Sequence, residues 1–127
     1  LFCWGKNEQS LFGDETIYSE PTQIGSDSGW TKITAVYIHV CGIKNGETFC
    51  WGQNQYGQLG DGTSGYGTDK TDPVKVGTSS LWTDISSTQA HTCGINNGKV
   101  YCWGWNNTGQ LGNGEAWELA PVPVVEP

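Results

Sequence analysis

At 127 residues the chain has the length of one ordinary domain, and only 35% of it is apolar. Thirteen Asp and Glu against six Lys and Arg give a net charge of −7. That balance lacks the basic footprint of a protein that binds nucleic-acid backbone or an anionic membrane surface. Nineteen glycines and the absence of a sustained helical period argue against a helical fold, and no run is long and apolar enough for a transmembrane helix.

The first element met along the chain is Cys3-Trp4-Gly5, and it returns as Cys50-Trp51-Gly52 and Cys102-Trp103-Gly104, at spacings of 47 and 52 residues. Periods of this length mark a propeller or solenoid array. The units of such an array cannot bury an apolar face alone, so neighbours must stack. The stretch after the first copy is eroded, with Ser10 and Phe12 where the next copy has Gly57 and Leu59. A Pro-led run, Pro21-Thr22-Gln23-Ile24, closes it.

Trp30 and Ile33 then open a fuller copy, followed by His39-Val40-Cys41-Gly42-Ile43. Asn45-Gly46 separates that run from the second Cys-Trp-Gly, and Asn-Gly between short apolar runs predicts a type I′ hairpin. A polar, Gly-rich loop from Gln53 to Gly62 and an insertion from Thr63 to Asp69 lead to Pro73-Val74-Lys75-Val76. Trp82, Ile85, His91-Thr92-Cys93-Gly94-Ile95, Asn97-Gly98, the third Cys-Trp-Gly and Pro121-Val122-Pro123-Val124 repeat the order. Each copy reads as about four short strands, which is one propeller blade. The fold class is therefore all-β, with two complete repeats and part of a third in residues 1–127. Repeat junctions are placed near Cys3, Cys50 and Cys102, and the array is expected to be a segment of a larger propeller, cut at both ends.

A two-residue turn at Asn45-Gly46 sets Lys44 opposite Glu47 and, counting outward, Cys41 opposite Cys50. The same count about Asn97-Gly98 sets Cys93 opposite Cys102. Both pairs fall on non-hydrogen-bonded sites, where Cα atoms lie about 4.5 Å apart and a disulfide can close. Disulfides Cys41–Cys50 and Cys93–Cys102 are expected. Zinc is the competing reading of the recurring His-x-Cys and Cys, but a tetrahedral site would need a fourth ligand. No metal or other cofactor is expected, and His39 and His91 are assigned to the repeat framework, bonded to backbone. Cys3 is left over, its partner expected nine positions upstream, with an external disulfide as the alternative. Cysteine pairs of this kind imply an oxidising compartment, hence a secreted or cell-surface protein.

Trp-Gly-x-Asn-x-x-Gly-Gln-Leu-Gly at Trp51–Gly60 and Trp103–Gly112, with Pro-Val-x-Val and His-Thr-Cys-Gly-Ile around it, resembles the regulator of chromosome condensation repeat. The resemblance covers nearly the whole chain. It implies a β-propeller, commonly of seven blades, in which each repeat contributes to neighbouring blades. The chain departs from the pattern at Val36 and Thr88, where the family has a small residue. The founding member's exchange activity and chromatin docking are not carried over, because paired cysteines and acidic charge fit neither. Secreted propellers of similar character imply a rigid scaffold whose loops bind proteins.

No nucleophile elbow, P-loop or zincin motif is present, and no enzyme is expected. Loop carboxylates such as Asp61, Asp69, Asp72, Glu115 and Glu118 are unpaired in sequence; a calcium site at the first three lacks the usual spacing. Residues that break the repeat are the binding candidates: Trp105, Trp117, Tyr56 and Tyr66, aromatic side chains suited to protein partners or sugars. The alternative is that Trp105 and Trp117 cover a blade edge. Asn106-Asn107-Thr108 is a glycosylation sequon, yet Asn106 also sits at the loop-bracing position of Asn54. The functional expectation is an extracellular, non-catalytic scaffold for a protein or glycan ligand, without nucleic acid or membrane insertion. The alternative is a structural subunit that self-assembles by blade stacking into a fibre or filament.

Overall fold

The computed structural model describes residues 1–7, 17–114 and 117–124, without the side chain of Trp117. Ser10, Phe12 and Glu115 lie outside the described residues. Every described element is a strand: β1 (Phe2–Gly5), β2 (Tyr18–Gln23), β3 (Trp30–Ala35), β4 (His39–Lys44), β5 (Glu47–Gly52), β6 (Lys70–Lys75), β7 (Trp82–Ser87), β8 (His91–Asn96), β9 (Lys99–Trp105) and β10 (Trp117–Pro123). They form two antiparallel four-stranded blades, β3-β4-β5-β6 and β7-β8-β9-β10, preceded by the pair β1-β2. The chain is thus all-β and built of propeller blades.

Turn chemistry fixes the registers. Asn45 and Gly46 have φ of 53° and 79°, and Asn97 and Gly98 have 49° and 76°. A type I′ turn requires positive φ at both central residues. Lys44 faces Glu47, Cys41 faces Cys50 and Cys93 faces Cys102. Both cysteine pairs are bonded, each with Cα atoms 4.1 Å apart.

The prolines do not open their strands. Pro21, Pro73 and Pro121 sit inside β2, β6 and β10, each of which has one neighbour among the described strands. The ladder of β6 with β5 is broken between Cys50 and Gly52, where Pro73 has no pairing to complete. An outer strand with an interrupted ladder tolerates a residue that cannot donate.

Packing between blades explains the repeated Trp, Gly and Cys. In each blade a first-strand tryptophan lies against a third-strand aromatic: Trp30 on Phe49 and Trp51, Trp82 on Tyr101 and Trp103, with centroids 5.7–6.0 Å apart. Gly42 and Gly94 make room for them, since a Cβ there would come within 2.8 Å of Trp30 or Trp82. Cys41, Ile43, Cys50, Leu59 and Val76 of the first blade then bury against Trp82, Ile85 and Trp103 of the second. Trp51 and Trp103 are fully buried, each contributing roughly 2–3 kcal/mol of apolar burial. Trp4 keeps the motif, whose tryptophans read as core by their repeat position, and is 62% exposed among the described residues, where its strand β1 pairs with β2.

Candidate functional site

Two equivalent loops dominate one end of the blade junction, and each is wound around a buried asparagine. Asn54 accepts from the Leu59 N–H through Oδ1 at 3.1 Å, while its Nδ2 donates to Asp61 Oδ1, Thr63 Oγ1 and the Thr63 carbonyl. Asp69 Oδ1 accepts from the Asn54 backbone N–H at 2.8 Å. Asn106 does the same work in the next loop, accepting from Leu111 N–H at 2.6 Å and donating to Asn113 Oδ1 at 2.7 Å. Asn113 passes the chain of bonds on to Glu118. Asn106 is 3% exposed, so the structure gives the sequon asparagine the bracing role. A glycan on Nδ2 would require that amide to leave its pocket.

Asp61 and Asp69 therefore serve as acceptors for loop N–H and hydroxyl groups, with Lys70 also 3.9 Å from Asp61. Among the described residues no three His, Cys, Asp or Glu side chains gather closely enough to hold a metal ion.

The first loop is clamped onto the second blade. The Gly62 N–H donates to the Leu119 carbonyl at 2.8 Å, and a Cβ on Gly57 would lie 2.8 Å from the Leu119 side chain. This approach brings Tyr56 of the first loop onto Trp105 at the end of β9, stacked with centroids 5.4 Å apart and planes 28° apart. Both rings are half-buried. Tyr66, at the tip of the insertion, is 95% exposed and belongs to no ring pair among the described residues. Trp117 pairs in register with Trp105, which places it at the same end of the blade; its side chain lies outside the described residues.

Beneath the aromatic pair runs a polar chain that crosses between blades. His39 Nε2 lies 2.9 Å from Thr92 Oγ1, and the Thr92 hydroxyl donates to the Gln58 carbonyl at 3.2 Å. The same carbonyl accepts the Trp103 indole N–H at 3.0 Å. The histidines were expected to bond to backbone; instead both meet threonine hydroxyls, His91 through Nδ1 to Thr88 at 2.7 Å. The reason is local: strand β4 presents His39 to the neighbouring blade, where Thr92 of β8 stands at hydrogen-bond distance. Burial lowers the His39 pKa to about 4, helped by the nearby His91, whose own pKa burial also lowers. Thr92, Thr88 and the Gln58 carbonyl were missed from sequence. The available signal was Thr92 standing where the preceding copy has Val40, a polar residue in a buried strand next to a recurring histidine.

Cys3 has no disulfide partner among the described residues, and burial raises its pKa. It lines an apolar groove of about 400 Å³ with Leu1, Trp4, Ile33, Val36 and Val40.

A family profile described as the regulator of chromosome condensation (RCC1) repeat matches residues 45–95 and 97–126. The chain belongs to the RCC1 repeat family. The first matched RCC1 repeat starts at the Asn45-Gly46 turn and includes β5 to β8, so it straddles two blades. The bovine (Bos taurus) secretion-regulating guanine nucleotide exchange factor is 28% identical over 153 aligned residues, covering 97% of this chain and 32% of its own. The crystal structure of human WBSCR16 matches with a TM-score of 0.76 at 22% identity, over 96% of this chain and 32% of that one. That of Kap60 bound to yeast RCC1 (Prp20) matches at 0.74 and 24%, over 91% and 28%. Both structural matches establish the propeller fold. The chain spans about a third of the length of these relatives.

Proposed function

We propose that this RCC1-type chain is part of an extracellular, disulfide-bearing propeller that binds a protein or glycan through its loop aromatics and performs no catalysis. The observation that carries the reading is the Tyr56–Trp105 stack, two half-exposed rings from adjacent repeats. Partly exposed aromatics on a rigid frame anchor partners with little loss of side-chain entropy, and the Asn54 and Asn106 bracing supplies the frame. Closed cysteine pairs in successive hairpins support an oxidising compartment. Protein partners are favoured over glycans by the relatives' names, an exchange factor in one case and a complex with Kap60 in another.

The test is a full-length protein carrying both Tyr56→Ala and Trp105→Ala, compared with wild type on an immobilised glycan array and in photo-crosslinking from position 107. Loss of roughly thirtyfold in affinity for any ligand found, at unchanged melting temperature, is expected of such anchors. Wild-type binding by the double variant would overturn the reading.

A second reading is assembly by stacking: Cys41, Ile43 and Val76 of the first blade bury against Trp82, Ile85 and Trp103 of the second, and the same face-to-face packing would join blades of different subunits. Intact mass and native size of the natural protein separate the two: a long chain in discrete particles supports the scaffold, a short chain in large particles the assembly.

A further inference from the structure

The polar chain between the blades has one feature that neither packing nor ligand binding requires. The Gln58 carbonyl can only accept, and Trp103 N–H and Thr92 O–H both point to it. A proton on His39 Nδ1 would be a buried donor with no acceptor among the described residues, so the tautomer that leaves no N–H unpaired is Nε2–H, donating to Thr92 Oγ1 at 2.9 Å. Thr92 O–H then goes to the Gln58 carbonyl, and Ser87 Oγ, 3.2 Å away, can fill the second lone pair of that hydroxyl. The other ring nitrogen, Nδ1, is then a bare lone pair, fully buried and without a hydrogen-bond partner among the described residues. Proton uptake at Nδ1 would create a buried N–H with no acceptor and a charge with no counterion.

Among the described residues no compensating charge is at hand. Strand β4 packs against β3, β5 and β7. Their charged residues, Lys32, Glu47 and Asp84, pair in register with Ile43, Lys44 and Ile95, at the opposite end of the sheets from His39. Lys32 and Asp84 are also bound to each other at 3.5 Å. From β8 the titratable group that acts on His39 is His91, and its protonation repels a second positive charge.

We propose that His39 is an acid-operated release for the junction between the two blades, and that its protonation separates Tyr56 from Trp105. The linkage is short. Tyr56 is two residues from Gln58, and its N–H donates to the Gln58 side-chain Oε1 at 2.9 Å. Trp105 is two residues from Trp103. The hydrogen bonds that converge on the Gln58 carbonyl therefore hold both rings in place. A solvated histidine takes its proton near pH 6.5, so opening lets His39 charge in water and is favoured as pH falls below that value. Release of a bound partner in acid is a consequence that rests on the function proposed above; the opening itself does not.

The experiment needs no ligand. On the full-length protein, amide hydrogen exchange is followed from pH 7 to pH 4, corrected for intrinsic rates, in wild type and in His39→Gln, which keeps a donor to Thr92 and cannot titrate. Expected is a loss of protection at residues 56–60 and 91–105, growing by up to about two orders of magnitude as pH falls. The Asn45-Gly46 hairpin should stay protected, and the variant should show no such loss. Uniform loss across both blades, or the same loss in His39→Gln, would overturn the proposal. If the variant does not fold, imidazole ¹⁵N shifts of the wild type decide. Nε2–H with Nδ1 unprotonated well below pH 6.5, and Tyr56 ring shifts moving with His39, support it; a His39 titration near pH 6.5 with static Tyr56 shifts overturns it.

Discussion

The indole N–H of Trp103 donates to the carbonyl oxygen of Gln58, 3.0 Å away in the loop of the preceding repeat. Trp103, fully buried in the core, thus also fastens its own blade to the preceding one. Gly60 belongs to the same contact: a Cβ there would lie 2.6 Å from the Trp103 ring, and its φ is +68°.

Trp103→Ala should cost about 3–5 kcal/mol, the cavity left by a buried large aromatic plus the lost bond. Gly60→Ala should cost about 1–3 kcal/mol through overpacking, with an added penalty for the left-handed backbone. Denaturant midpoints on the full-length protein check both, and equal stability of Gly60→Ala and wild type would show the loop repacking freely.

Removing one hairpin bridge by Cys41→Ala with Cys50→Ala should lower stability by about 2–3 kcal/mol, the closure entropy of a short loop. Reductant should lower the wild-type denaturant midpoint and leave the Cys41/Cys50 variant with a smaller further loss, carried by Cys93–Cys102. An identical response to reductant in the two proteins would show that the first bridge contributes nothing.

Asn106→Ala should cost about 1–3 kcal/mol, because the Leu111 N–H and the Asn113 side chain lose a buried partner. Expressed through a eukaryotic secretory route, the protein should carry no glycan at Asn106. Peptide mass mapping reads this directly. Full occupancy of the sequon would mean that the amide is free before the loop closes.

The pH dependence has a definite sign. His39 binds its proton less readily in the folded state, at about pH 4 against 6.5 in the reference peptide. The unfolded chain therefore holds more protons between those values, and stability rises with pH there. The contribution is complete above about pH 6.5 and is lost as pH falls toward 4, roughly 3 kcal/mol in total. Thr92→Val should remove a further 1–3 kcal/mol at neutral pH, roughly the cost of leaving His39 Nε2–H unpaired. Urea denaturation at stepwise pH measures both, and a flat profile between pH 4 and 6.5 would contradict the buried, neutral histidine.

Blade architecture, hairpin registers and cysteine pairing were readable from sequence because each is a local, repeated constraint. Asn-Gly admits one two-residue hairpin, that turn fixes which residues face each other, and the repeat states the answer twice. The outer-strand prolines were placed less well, since a bulge that absorbs a proline depends on the neighbouring strand. What only the tertiary structure decided lies between repeats. Tyr56 and Trp105 are 49 positions apart in sequence, and nothing local says that one ring stacks on the other. The same holds for His39 with Thr92 and for Gln58 with Trp103. Sequence periodicity specifies the unit; how units meet is set by packing across a face that no single repeat contains.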